Sequence, residues 1–134
     1  MTEFPLKIVT PDGLRFDGPA EELIVRSSTG DVAILARHVN YVTSLGMGQA
    51  VIVSKGQRRT AACIGGMLSV VDGHATLLPS TFEWSDQIDV ERADASYRRA
   101  DAVLHDKNAS ETDLKLAEAR LRRALIRKSV ASSK

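Results

Sequence analysis

What this 134-residue chain lacks bounds it first. It has one cysteine, Cys63, set in an apolar run, so no internal disulfide can form and a reducing compartment is the natural setting. The histidines, His38, His74 and His105, show no metal-ligand spacing and no partnering Cys pair, so no metal site is expected. Cys63 and His38 lack the sequence context of a nucleophile and its base, and a lone Cys in an apolar strand reads as a small core residue. No catalytic residue is therefore expected, and the chain is not expected to be an enzyme by itself. Aromatic residues make up only 4% of the chain, too few for a base-stacking platform. The formal net charge is +1, which gives no broad field to hold nucleic acid, so that partner is not expected. No window approaches 18 consecutive apolar residues, so no membrane-spanning helix is expected. The start, Met1-Thr2-Glu3-Phe4-Pro5, has neither the basic nor the apolar segment of a signal peptide.

Glycine and proline are present but confined. No glycine follows Gly73 and no proline follows Pro79. The chain changes character near Ser85-Asp86, and the expectation is an α+β, mainly β, protein with a strand-rich domain over residues 1–86 and a helical one over 87–134. The first part holds short apolar runs at 6–10, 14–18, 22–26, 32–35, 49–53, 58–64, 67–71 and 74–78. Asp12-Gly13, Lys55-Gly56 and Asp72-Gly73 punctuate them, and such pairs supply the positive φ that tight hairpin turns need. Short strands with regular turns indicate a β-sandwich or a flattened barrel. Gly65-Gly66 lies between two strand-like runs rather than before a helix, so a close backbone approach explains it better than a phosphate loop.

Beyond residue 86 the period changes to that of a helix. Val90, Ala93, Tyr97, Ala100 and Leu104 make one narrow apolar stripe, as for a helix with a single helical neighbour. Residues 105–109 form a turn. Ser110 is suited to N-cap a second helix, with Asp113 in the capping-box place, and that helix is expected over 111–128. Its stripe reads Leu114, Ala117, Leu121 and Leu125, and alanines on both stripes would let the axes approach closely. Segments this short cannot build a separate core, so the hairpin leans on itself, on the first domain or on a partner. Little burial set against the ordering cost of the backbone suits an element that docks and undocks.

Two groups of charged residues stand out. Asp89, Arg92 and Arg99 project from nearly one helix face. Two arginines one heptad apart can fork around phosphate oxygens, and Asp89 or Glu83 can accept from an amino group such as that of adenine. Ordinary ion pairing on an exposed helix accounts for the same spacing. Near the end, every charged residue from Arg120 onward is positive: Arg120, Arg122, Arg123, Arg127, Lys128 and Lys134. That pattern fits an acidic partner surface, and equally a solvated helix end with cations on the favourable side of the dipole.

The order and spacing of several segments resemble the ε subunit of F-type ATP synthase (δ in mitochondrial naming). They are the opening residues 6–11, Phe16-Asp17-Gly18, the segment 30–35 with His38 following, Gly65-Gly66-Met67-Leu68-Ser69-Val70, and Ile88-Asp89 with Arg92-Ala93 and Arg99-Ala100. The resemblance covers nearly the whole chain. It implies an N-terminal flattened β-sandwich followed by a C-terminal antiparallel two-helix hairpin. It also implies a non-catalytic subunit of the central stalk that binds the γ subunit and the c ring and helps couple proton translocation to ATP synthesis. Such a subunit is peripheral, on the cytoplasmic face of the bacterial cell membrane, and touches the membrane only through the complex. The hairpin would fold down or extend toward the αβ catalytic hexamer and inhibit hydrolysis, with Arg120, Arg122, Arg123 and Arg127 facing the β subunit. No cofactor is required, but the pattern at Glu83, Asp89, Arg92 and Arg99 matches members that bind ATP as a regulatory ligand. One segment departs from the family. Many members have Gly-Ile/Leu-x-Pro-Gly-His-Ala-Pro where this chain has Ala33, Ile34, Leu35, Ala36, Arg37, His38, Val39 and Asn40, in a loop the family turns toward γ and the c ring.

Overall fold

The computed structural model describes residues 2–132, so Lys134 of the basic terminus lies outside the described residues. The chain divides into two compact units, Met1–Trp84 and Ser85–Lys134.

The first unit is built from ten strands in two five-stranded sheets. They are β1 (Phe4–Thr10), β2 (Gly13–Ala20), β3 (Glu22–Ser27), β4 (Gly30–Ile34), β5 (Tyr41–Ser44), β6 (Met47–Ser54), β7 (Gln57–Ile64), β8 (Met67–Val71), β9 (His74–Leu78) and β10 (Thr81–Trp84). One sheet runs β2-β1-β9-β8-β5 and the other β10-β7-β6-β3-β4. Pairing is antiparallel except between β1 and β9. The flattened sandwich expected from the resemblance is what forms. Residues at period two turn inward from both sheets: Phe4, Leu6 and Ile8 from β1, Leu68 and Val70 from β8, and Leu77 from β9 meet Leu23, Val25, Ala50, Ile52, Ala61 and Cys63. Trp84 closes one end of the core. Phe82 stands edge-on to it at 4.9 Å and the Arg59 guanidinium lies 3.6 Å above its ring.

Turn chemistry follows from backbone geometry. Lys55-Gly56 and Asp72-Gly73 both have two consecutive positive φ values, the conformation that joins strands of right-handed twist. Gly66 has φ +99°, and a Cβ there would overlap the Leu78 carbonyl oxygen, so this glycine is a close backbone approach. Two strands escape the sequence reading. β5 is only four residues long with no apolar alternation in its sequence, and β10 follows directly on Pro79-Ser80, a pair that reads as the end of a strand.

The second unit opens with a single 3-10 turn over Ser85–Gln87, followed by α1 (Val90–Leu104) and α2 (Glu111–Ser132). Asp89 is the N-cap of α1: its carboxylate accepts the Arg92 backbone N–H at 3.0 Å. Ser110 serves α2 in the same way, accepting the Asp113 N–H at 3.1 Å. The helices pack through alanines one heptad apart, Ala93 and Ala100 on α1 and Ala117, Ala124 and Ala131 on α2, with Val130 beside them. The expected stripes need two corrections. Val90 is exposed because it lies in the first turn, and Leu125 is exposed because the seam runs through Ala124 instead. Leu125 follows Ala124 by about 100° of helical turn, which carries it off the seam. The second helix also runs past Lys128, to Ser132.

Candidate functional site

The helical unit carries an open groove of about 650 Å³ along one flank of the alanine seam. Ser96 and Arg99 line it from α1, and Arg120, Arg123 and Arg127 from α2. Spacings of three and four residues put the last three on one helix face. The Arg99 guanidinium donates to Ser96 Oγ at 3.2 Å, which orients its fork. Asp106 and Asp113 lie at the loop end of the same groove. The groove thus gathers four guanidinium groups against two carboxylates. The arrangement is suited to a ligand with several negative oxygens, since each planar fork can donate two parallel hydrogen bonds to a phosphate or carboxylate.

The residues singled out from sequence are thus distributed unevenly. Arg99 shares the groove with Arg120, Arg123 and Arg127, while Arg122 is exposed and is not among its lining residues. Arg92 and Asp89 are exposed at the start of α1 and do not line the groove. Arg92 nevertheless stands on the same flank as Arg99, two turns or about 10.5 Å earlier along the axis. One oxygen of Asp89 is engaged in capping. Glu83 is half-buried in β10, in the other unit. Convergence of Arg99 with the arginines of α2 was missed from sequence, because it depends on how the two helices are registered against each other.

The candidate nucleophile and bases have structural places. Cys63 is buried in β7, and burial pushes its thiol up to about 12. His38 Nδ1 lies 2.8 Å from the Val39 carbonyl, with its ring 5.8 Å from that of Tyr41. His105 caps α1, Nδ1 lying 2.8 Å from the Asp101 carbonyl. Arg37, in the segment that departs from the family pattern, has φ +66°, a left-handed conformation at the position where many members carry glycine. No described helix is long and apolar enough to cross a membrane.

A two-sheet sandwich followed by a helical hairpin with a cationic groove defines an α+β, mainly β, protein of two units. The family model for the ATP synthase delta/epsilon chain beta-sandwich domain matches residues 3–85, and that for the long alpha-helix domain of the same chain matches residues 86–132. The chain belongs to the family of ATP synthase delta/epsilon chains. It is 42% identical to the ATP synthase epsilon chain of Ruminococcus albus, with the whole of both chains covered. To the epsilon chain of Bacillus velezensis it is 38% identical, over 99% of this chain and 100% of the relative. Its fold matches a chain in the cryo-EM structure of the Euglena gracilis mitochondrial ATP synthase (OSCP/F1/c-ring, rotational state 1). The TM-score is 0.84 at 19% identity, over 100% of this chain and 83% of the other.

Proposed function

We propose that this chain is the ε subunit of a bacterial F-type ATP synthase, a non-catalytic part of the central stalk. Its sandwich binds the γ subunit and the c ring at the cytoplasmic face of the cell membrane and helps couple proton translocation to ATP synthesis. Its helical hairpin regulates hydrolysis by the αβ hexamer. The observation that carries this reading is the match of both units, in order, to the two domains of the epsilon chain, with full-length identity of 42% to a bacterial member. The alanine seam agrees with a regulatory hairpin, because alanines bury little surface and leave the closed form easy to open. Pull-down with the tagged chain from solubilised membranes of its host is expected to bring down a γ subunit and a ring of small membrane subunits. Recovery of the chain alone would contradict the stalk role.

ATP fits as a regulatory ligand of the hairpin. The arginine groove supplies donors for the phosphates, and Arg92, on the same flank of α1 as Arg99, extends that row of donors. A ligand that prefers the closed hairpin shifts its population by the ratio of its affinities for the two forms. Titration calorimetry of the full chain with millimolar ATP is expected to show saturable heat. Arg99→Ala should lower the affinity at least tenfold, since a charge-assisted bidentate contact is worth about 1.5–3 kcal/mol. Absence of heat would remove ATP from the account without touching the stalk role.

A further inference from the structure

The flank of the hairpin opposite the arginine groove carries a different device. Lys128, near the end of α2, places Nζ 3.0 Å from Asp94 Oδ1 on α1. The same ammonium stands 4.7 Å from the centre of the Tyr97 ring. Arg98 holds the other carboxylate oxygen, Oδ2, at 2.8 Å. The carboxylate is therefore held from both sides, by a neighbour on its own helix and by a cation from the facing helix. Lys128 and Asp94 side chains are 35% and 32% exposed, whereas that of Arg98 is 78% exposed. The inter-helix cation is thus the less exposed of the two, and screening of it by salt is weaker than of Arg98. On a helix turning 100° per residue, Asp94, Tyr97 and Arg98 fall to one side of Ala93 and Ala100. Ser96 and Arg99 fall to the other. The triad and the groove are physically separate.

We propose that Asp94, Lys128 and the Tyr97 ring form a charge-dependent latch that sets how readily α2 parts from α1, independently of any anion in the groove. The proposal rests on the regulatory reading of the hairpin and supplies a control within it. The reason a surface-type ion pair matters here is the seam. Its fully buried residues are five alanines and one valine within the two helices, with Leu104, Leu114 and Leu121 half-buried beside them, so the apolar contribution to closure is modest. A contact that would be marginal in a leucine-packed hairpin is then a substantial share of what keeps this one closed. Removing the Lys128 charge, by substitution or by acetylation, strands Asp94 beside the seam with only Arg98. High salt screens the pair and has the same effect.

Native-state hydrogen exchange on the full chain tests this, with the sandwich amides as internal reference. Lys128→Met keeps the aliphatic stem and helix propensity while deleting the charge. Lys128→Met and Asp94→Asn are each expected to speed exchange of α2 amides about two- to fivefold at low salt, the range for a partly exposed pair. The double variant should exceed neither single by much, and 1 M KCl should bring the unmodified chain toward the variants. Sandwich amides should not change. Flat exchange in both singles, or effects that multiply in the double variant, would overturn the latch. In the assembled complex, Lys128→Met is expected to strengthen inhibition of ATP hydrolysis by populating the open hairpin. If exchange responds and hydrolysis does not, the latch stands and the regulatory reading fails. If deletion of the hairpin alters hydrolysis while exchange is flat, the latch fails and that reading stands.

Discussion

At the scale of single residues, the clearest strain is at Arg37. Its φ of +66° places a β-carbon where glycine would meet no conflict. Left-handed backbone costs a residue with a side chain about 1–2 kcal/mol. Arg37→Gly is therefore expected to stabilise the chain by about 1 kcal/mol in urea denaturation, because the added freedom of the unfolded chain offsets part of the relief. A loss of stability would mean that the Arg37 side chain holds the loop. Cys63 gives a second residue-scale expectation. With its thiol pushed up to about 12 by burial, roughly one molecule in ten thousand carries a thiolate at pH 8. Labelling by a thiol reagent at that pH should be slow and should accelerate with denaturant. Rapid stoichiometric labelling of the folded chain would contradict its place in the core. A raised pKa means that stability conferred by the neutral thiol is complete below the ordinary value of 9.0 and is lost as pH rises toward 12.

At the scale of elements, the helices were legible where a local rule applies and obscure where pairing decides. Ser110 announces the start of α2 because an N-cap is a local hydrogen bond. Asp72-Gly73 and Lys55-Gly56 announce hairpins because the turn itself demands positive φ. The outward turn of Leu125 was not legible, since helical period alone cannot choose between Ala124 and Leu125 for the seam. Nor was the meeting of Arg99 with Arg123 and Arg127, or of Asp94 with Lys128, because both depend on the register of two helices. The latter contact carries a pH dependence. The Lys128 hydrogen bond, then the charges of Arg98 and Lys128, hold the Asp94 carboxyl below its ordinary 3.8, against a partial desolvation that raises it. A lowered folded-state value means that this stabilisation is present above the ordinary pKa and is lost as pH falls through the folded one. Helical circular dichroism of the full chain should therefore weaken below about pH 4, and less so in Lys128→Met. An identical acid profile in both chains would show that other carboxylates govern the loss.

At the scale of the whole molecule, the sandwich and the hairpin have different kinds of stability. The sandwich has a core of large, fully buried side chains drawn from both sheets, whereas the buried residues of the hairpin's helices are alanines and one valine, with their leucines only half-buried or exposed. That contrast is the physical ground for the proposal that the second unit moves while the first stays fixed in the assembly. The account's central claim is met most directly by one comparison. An F-type ATP synthase is rebuilt with the full chain or with the chain ended after residue 86, and its ATP hydrolysis is measured. Both complexes should assemble, and the shortened chain should release hydrolysis severalfold; equal rates in two intact complexes would contradict the hairpin's regulatory role.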